Sequence, residues 1–460
     1  MKSLRDTTHA LDVGLAEIRQ QFEVPEAFPH EVLSAAANSA RREPDEHIDR
    51  TEVPFVTLDP ASSTDLDQAF TITASGDDLV LQYAIADVAW FVSDGDVLDT
   101  HAWQRGTTIY LPDGKSGLYP SVLSEAAASL LPDGPRPAVV FHVRLSPEGT
   151  PTLDGAERAL VRTRAKLAYD TVSPAELPAG FEEFARRMAA ASLARGAGPV
   201  DPPEQLVERN SHGYRLSFRP RLASESANAA LSLATNIAVA EAMLQAHVGL
   251  FRVMPSPDDG AVRRLRHTAT AFGLHWPKEQ SLDDFARTLD ANDAKQAAFM
   301  LAVRRAGGGA SYTTYEDGVV PWHAAMASSY AHATAPLRRL ADRYVVQTVL
   351  AVANGREVPS AVAEALPRLP TAMARAAAKG GQIDRAVIDL AEAVLLEGHE
   401  GQTFLAVVID DDPEFSRIQL RDIAVVAKVK AKGLRPGDEC RVKLLGVDTA
   451  ARTVHFERVA

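Results

Sequence analysis

Apolar positions fall at helical spacing at the start of the chain, then at strand spacing, then at helical spacing again, and finally at strand spacing. Leu11, Val13, Leu15, Ile18 and Phe22 make a partial helical stripe, the segment from Val24 to Pro29 breaks it, and Glu31 to Ala40 begins a second short helix. The polar stretch from Arg41 to Thr51 reads as a linker. From Pro54 to about Lys166 the chain is β-rich, with Leu79 to Val88 and Ala138 to Leu145 as apolar runs bounded by Gly, Asp and Pro. Long helices dominate from Ser226 to about Leu396. Ala227 to Leu250 is apolar almost all round and rich in Ala, which predicts a buried helix. Gly307-Gly308-Gly309 ends another, and Pro336 to Asn354 predicts a third, capped by Thr334 and closed by Gly355. Strand-like runs at Thr403 to Asp410, Ala424 to Val429, Cys440 to Leu445 and Thr453 to Glu457 predict a small terminal barrel.

One loop has a pattern that folding does not ask for. Leu58-Asp59-Pro60-Ala61-Ser62-Ser63-Thr64-Asp65-Leu66-Asp67-Gln68 crowds three carboxylates between two apolar runs. Like charges so placed repel one another, and such a cluster persists when a cation neutralises it. Oxygen-only donors suit Mg²⁺, with Mn²⁺ as the alternative, and Mg²⁺ takes one or two protein carboxylates while keeping water and phosphate in its other positions. The same residue types also build ordinary turns, and in that reading Asp65 is a cap. An EF-hand does not fit, because the alternating ligands, central Gly and distal Glu are missing.

The loop resembles the D-x-x-x-x-x-D-x-D-D signature of the RNase II/RNase R (RNB-domain) exoribonuclease family. A second block, Tyr330-Ala331-His332-Ala333-Thr334-Ala335-Pro336-Leu337-Arg338-Arg339-Leu340-Ala341-Asp342, is similar to that family's Y-x-H-x-T-S-P-I-R-R-Y-x-D. Two departures stand out: Gln68 replaces the second of two adjacent acids, and Ala335 replaces a Ser. The resemblance covers roughly residues 50 to 400. It implies an α/β (α+β) RNB-type catalytic core with a mixed sheet and long helices over residues 51–400. Before it lies a short helical segment over 1–50, with a helix-turn-helix as one reading, and after it an S1-like OB β-barrel over 401–460.

The implied activity is Mg²⁺-dependent 3′-to-5′ exoribonuclease hydrolysis of single-stranded RNA to nucleoside 5′-monophosphates. By resemblance Asp59, Asp65 and Asp67 gather the metal, with Asp67 the most sensitive position and Gln68 a weak point for one ion. Arg338, placed in the first turn of a helix, steadies the transition-state charge; its competing reading is a surface pair with Asp342. Tyr110 falls where the family stacks an aromatic on the last base. Tyr169 and Glu241 match positions that read the ribose 2′-hydroxyl, and Glu241 draws notice as a charge inside an apolar helix. Asp384 occupies the approximate place of a family Glu. A different class stays open, an RNA-binding protein with a degenerate nuclease core, motivated by Gln68. A small-molecule phosphatase explains the acids but not the Tyr110 region or the barrel.

Composition refines this reading. At 460 residues and 46% hydrophobic, the chain has material for two or three domains. The single Cys440 excludes an intramolecular disulfide and fits a reducing cytosol. Met1 to Ala10 has no apolar signal core, and no uninterrupted apolar run reaches bilayer-spanning length, so the expectation is a cytoplasmic monomer without membrane contact. A net charge of −13 runs against a phosphate-coating surface, so RNA binding requires a local basic channel. Arg263, Arg264, Arg266, Arg304, Arg305, Arg338, Arg339 and Arg343 are its candidates, with Lys428, Lys430, Lys432 and Lys443 on the aromatic-poor barrel.

Overall fold

The computed structural model describes residues 9–197, 204–210, 213–219, 221–290, 293–411, 415–421, 423–430 and 433–459. The β-rich region closes on itself. Strands β1 (Ile48–Asp59), β2 (Gln68–Ser75) and β3 (Asp78–Ala86) are followed by a small hairpin, β4 (Ile109–Leu111) and β5 (Gly114–Ser116), and then by β6 (Arg136–Leu145) and β7 (Pro151–Ala168). The five long strands form a barrel in the order β1-β2-β3-β6-β7. Gly76, at φ +64°, lets the two-residue turn between β2 and β3 close. The 18 residues of β7 let it pair antiparallel with β6 and then parallel with β1, from Ile48↔Ala159 to Asp59↔Ala168. The mixed sheet is therefore a closed barrel with one parallel seam. Phe55, Phe70, Leu81, Ile85, Val139, Phe141 and Val143 fill its buried core.

Helix Ala223–Gln245 packs on β6 and β7 and on helix Leu340–Ala353. It begins earlier than predicted, where the Glu225 carboxylate accepts the Leu222 N–H at 2.8 Å, and ends earlier. His247 and Gly249 take positive φ there and turn the chain into strand Leu250–Val253. By length and composition alone this helix could cross a membrane, with a mean hydropathy of 1.3 over its best window, although Glu225, Asn228, Asn236 and Glu241 interrupt its apolar run. More than half of that window is buried inside the protein, and Asn228, Ser232 and Asn236 on it make the polar contacts described below.

The predicted helix from Pro336 starts only at Leu340. Pro336 to Arg338 form a turn, Arg339 is extended at φ −130°, and Asp342 reaches back to accept the Ala335 N–H at 2.8 Å. Thr334 is not the cap: its carbonyl accepts the Gln68 side-chain amide.

At the N-terminus, helices Ala10–Gln21 and His30–Ser39 precede the barrel. Leu11, Leu15 and Ile18 bury against Ile383, Val387 and Leu390 of the long helix Leu369–Leu396. A second five-stranded barrel closes from Thr403–Asp411, Ser416–Leu420, Val426–Lys430, Glu439–Asp448 and Thr453–Val459. Its core holds Ala406, Val408, Ile418, Leu420, Val442 and Leu444. The barrel is tied to the long helix by Glu392, whose carboxylate accepts the Val426 N–H at 2.8 Å and the Gln205 amide at 2.7 Å.

Candidate active site

The acidic loop joins β1 to β2 at the rim of the barrel. Parallel pairing with β7 fixes Asp59 at the end of β1, and the Tyr169 N–H donates to the Asp59 carbonyl at 3.2 Å. Buried Leu66 anchors the loop from below, its N–H donating to Ser129 Oγ at 2.9 Å while Ser129 donates to the Thr64 carbonyl at 2.7 Å. Asp67 then sits immediately before β2, only 3% exposed.

The second motif lies against this loop. Asp67 Oδ1 accepts the Leu337 N–H at 2.7 Å, and Asp67 Oδ2, which makes no hydrogen bond, faces Arg338 Nε at 3.6 Å. Arg338 therefore addresses Asp67, while the partner of Asp342 is Arg339, held by bonds of 2.8 and 2.6 Å. The motif is also pinned from behind: Asn236 accepts the Ala333 N–H at 2.9 Å, and Gln68 Nε2 donates to the Thr334 carbonyl at 2.8 Å. The expectation that Arg338 lies in the first turn of a helix is corrected, because the helix begins two residues later and the guanidinium leaves from the preceding turn. His332 is half-buried beside Tyr312, whose hydroxyl lies 2.7 Å from its Nδ1. Burial, with Arg339 and Arg252 nearby, holds its pKa well below the ordinary histidine value, so it stays neutral.

The β4–β5 hairpin supplies a third wall. Gly106, at φ +71°, ends the helix before it where a Cβ would fall 2.6 Å from the Ala376 side chain. The chain leaving Gly106 is stitched to the Arg338 carbonyl by the Thr108 N–H at 3.0 Å and the Thr107 hydroxyl at 2.7 Å. This places Tyr110, 49% exposed, with its hydroxyl donating to Asp65 Oδ2 at 2.7 Å. Lys115, directly opposite Tyr110 in the hairpin, reaches Asp65 Oδ1 at 3.1 Å and Glu125 at 3.3 Å.

Burial dominates the electrostatics. It raises the carboxyls of Asp59 and Asp67 to about 7 against the pull of Arg338, and the neighbouring Asp65 pushes Asp59 further up. Tyr169 is raised to about 12 by burial and by Asp59, and its hydroxyl accepts the Asn228 amide at 3.0 Å. Among the described residues, no three acidic, histidine or cysteine side chains are gathered closely enough to hold an ion. Of the three expected metal ligands, Asp65 is turned to Lys115 and Tyr110. Half-buried Asp59 and buried Asp67 offer the oxygen donors that a divalent cation takes, and Oδ2 of Asp67 is buried without a hydrogen-bond donor.

Gln68 is not aimed at such an ion. Its side-chain carbonyl accepts from Ser232 Oγ at 3.1 Å and from the Tyr83 hydroxyl, and its amide is spent on Thr334. Glu241 lies exposed on helix Ala223–Gln245, accepting from the Gln245 amide, nine residues past Ser232 and thus about 13 Å farther along the helix. The polar residues that this helix does bring to the site are Asn228, Ser232 and Asn236, which no apolar-pattern reading singles out. Lys115 was also missed, although Pro112-Asp113-Gly114 is a hairpin signal that pairs it with Tyr110.

Several expected RNA-binding cations are structural. Arg343 is buried against Asp99, and Arg266 donates to carbonyls of the segment from Trp276 to Gln280. Asp384 is exposed beside Ile383, on the stretch of helix that packs on the N-terminal segment. Lys428 lies over the Phe415 ring at 4.2 Å, and Lys432 falls outside the described residues.

The RNB domain pattern matches residues 47–355, and that of the RNase II-type exonuclease C-terminal S1 domain matches residues 402–459. Ribonuclease R 1 of Lactococcus lactis is 23% identical over 431 residues, which is 86% of this chain and 52% of that protein. Exoribonuclease 2 of Cronobacter sakazakii is 27% identical over 446 residues, 91% of this chain and 67% of its own. The chain thus spans about half to two thirds of the length of these two curated relatives. In fold it is similar to Mycoplasma genitalium RNase R in complex with ribose-methylated single-stranded RNA, with a TM-score of 0.86 at 18% identity, covering 98% of this chain and 78% of that one. Yeast Ssd1, described as a pseudonuclease, matches with a TM-score of 0.71 at 16% identity, over 94% of this chain and 57% of its own.

Proposed function

Because this chain belongs to the RNB-domain family, we propose that it is a divalent-metal-dependent 3′-to-5′ exoribonuclease that works on single-stranded RNA and releases nucleoside 5′-monophosphates. The observation that carries the proposal is the apposition of Arg338 to the bare Oδ2 of Asp67. Asp59 and Asp67 would hold the ion, for which Mg²⁺ is the first choice. When bound, a divalent ion makes hydroxide available near neutral pH and offsets charge on the phosphoryl oxygens. Arg338 binds the scissile phosphate through its forked guanidinium, which suits two phosphoryl oxygens at once. The half-exposed ring of Tyr110 stacks on the terminal base. Tyr169, oriented by Asn228, presents its hydroxyl to the sugar, where a 2′-hydroxyl both donates and accepts. We place this action in the cytoplasm and assign it to the single chain.

The runner-up is an RNA-binding protein with an inactive core, favoured by the neutral Gln68 and by the fold-level likeness to a pseudonuclease. A 5′-labelled single-stranded RNA incubated with and without Mg²⁺ separates the two. Stepwise shortening from the 3′ end with release of 5′-mononucleotides, only when the metal is present, supports the enzyme. Tight binding without shortening supports the runner-up.

A further inference from the structure

The four polar positions of the acidic motif divide into two pairs. Asp59 is half-buried and Asp67 buried, and Oδ2 of Asp67 has no hydrogen-bond donor. Asp65 and Gln68 are fully engaged. Gln68 uses its carbonyl on Ser232 and Tyr83 and its amide on Thr334. Asp65 has Lys115 Nζ on one oxygen at 3.1 Å and the Tyr110 hydroxyl on the other at 2.7 Å.

Lys115 is more than one member of an isolated surface pair, which would contribute little. Its ammonium lies between two carboxylates, with Glu125 at 3.3 Å on the far side and Thr64 Oγ1 at 3.4 Å. Thr64 donates in turn to Glu125 at 2.9 Å, so the acids around this ammonium are held by one another's partners. The hairpin register fixes the base of the lysine, since Lys115 is the cross-strand partner of Tyr110. A hydrated divalent ion would have to displace the ammonium from two carboxylates and the phenol from one, while giving up water that it releases reluctantly.

We infer that the Lys115 ammonium is the built-in cation of Asp65, so that Asp65 is a positioning residue for the Tyr110 hairpin and the active site takes a single divalent ion, on Asp59 and Asp67. This inference rests on the metal-dependent reading above. It makes Lys115 the reason that a motif with three acids gathers only one ion. It also gives Tyr110 a defined position before any RNA arrives, because both ends of the cross-strand pair are tied to one carboxylate.

Counting bound Mn²⁺ by electron paramagnetic resonance and calorimetry on the full chain, without RNA, tests it independently of cleavage. The parent should bind one ion, and Asp65→Asn should bind one ion with a dissociation constant within about threefold of the parent. Lys115→Met, which removes the ammonium and keeps the stem, should admit a second and weaker ion, while Lys115→Arg should return the count to one. Two ions in the parent, tenfold weaker binding in Asp65→Asn, or an unchanged count in Lys115→Met overturns the inference and leaves the metal-dependent reading standing. No ion bound by the parent overturns both.

Discussion

Asp67 Oδ1 accepts the Leu337 N–H at 2.7 Å, a bond that joins two motifs across 270 residues of sequence. It fixes the rotation of the carboxylate, so the second oxygen points at Arg338. The buried Leu337 side chain, 1% exposed, holds the donor still. The site is therefore made by a backbone amide as much as by its named side chains.

Asp67→Asn should keep the Leu337 bond through its amide oxygen but lose the charge opposite Arg338. Cleavage of single-stranded RNA should fall at least about a hundredfold, in the range that follows removal of one charge-stabilising group. RNA binding should stay within a few-fold, because affinity is spread over many phosphates. Rates and filter-binding affinities at one salt concentration check both halves, and near-parental cleavage would remove Asp67 from the mechanism.

Much of this arrangement was legible in the sequence, and the illegible parts have a common cause. Local pattern reveals β3, β6, the helix around Asn236 and the terminal barrel, because each follows one periodicity. The spacing of the acids and of Arg338 carries the candidate site. A polar residue in an apolar helix is informative only once its face is known, and the face of Glu241 is exposed. The start of helix Leu340–Ala353 misleads because Asp342, inside the helix, caps the turn before it. The direction taken by Gln68 depends on Tyr83 and Ser232, which come from a strand and a helix that only the fold brings together.

Gln68→Asp would appear to restore a missing acid. The side chain is one methylene shorter and lacks the amide that donates to Thr334, so the carbonyl there loses its partner. The variant should be less stable by about 1–3 kcal/mol, the usual penalty for a buried polar group left unpaired. Its half-saturating Mg²⁺ concentration should not fall. Chemical denaturation and a metal titration measure the two effects, and a stable variant with a lower metal requirement would show that position 68 faces the ion.

Tyr169 and Glu241 should separate under mutation. Tyr169→Phe removes the hydroxyl that accepts from Asn228 and should lower the preference for RNA over the same DNA sequence several-fold. Glu241→Ala, on the exposed face, should leave that ratio unchanged. Competition between labelled RNA and DNA of one sequence measures it, and a shift in the Glu241 variant would contradict its outward placement.

The contact between the long helix and the terminal barrel should respond to pH through Glu392. Its carboxyl is 3% exposed, and burial raises its pKa from 4.5 to about 7 despite bonds from Val426 and Gln205. A carboxyl with a raised folded-state pKa favours folding most fully below its unfolded value, and that contribution is lost as pH rises through 7. The parent should therefore gain stability on going from pH 8 to pH 6, by about 1 kcal/mol relative to Glu392→Gln, whose neutral side chain does not titrate. The two proteins share every other titrating group, so the difference between their denaturation midpoints isolates this one. Parallel pH profiles would mean that Glu392 is neutral, or fully solvated, throughout that range.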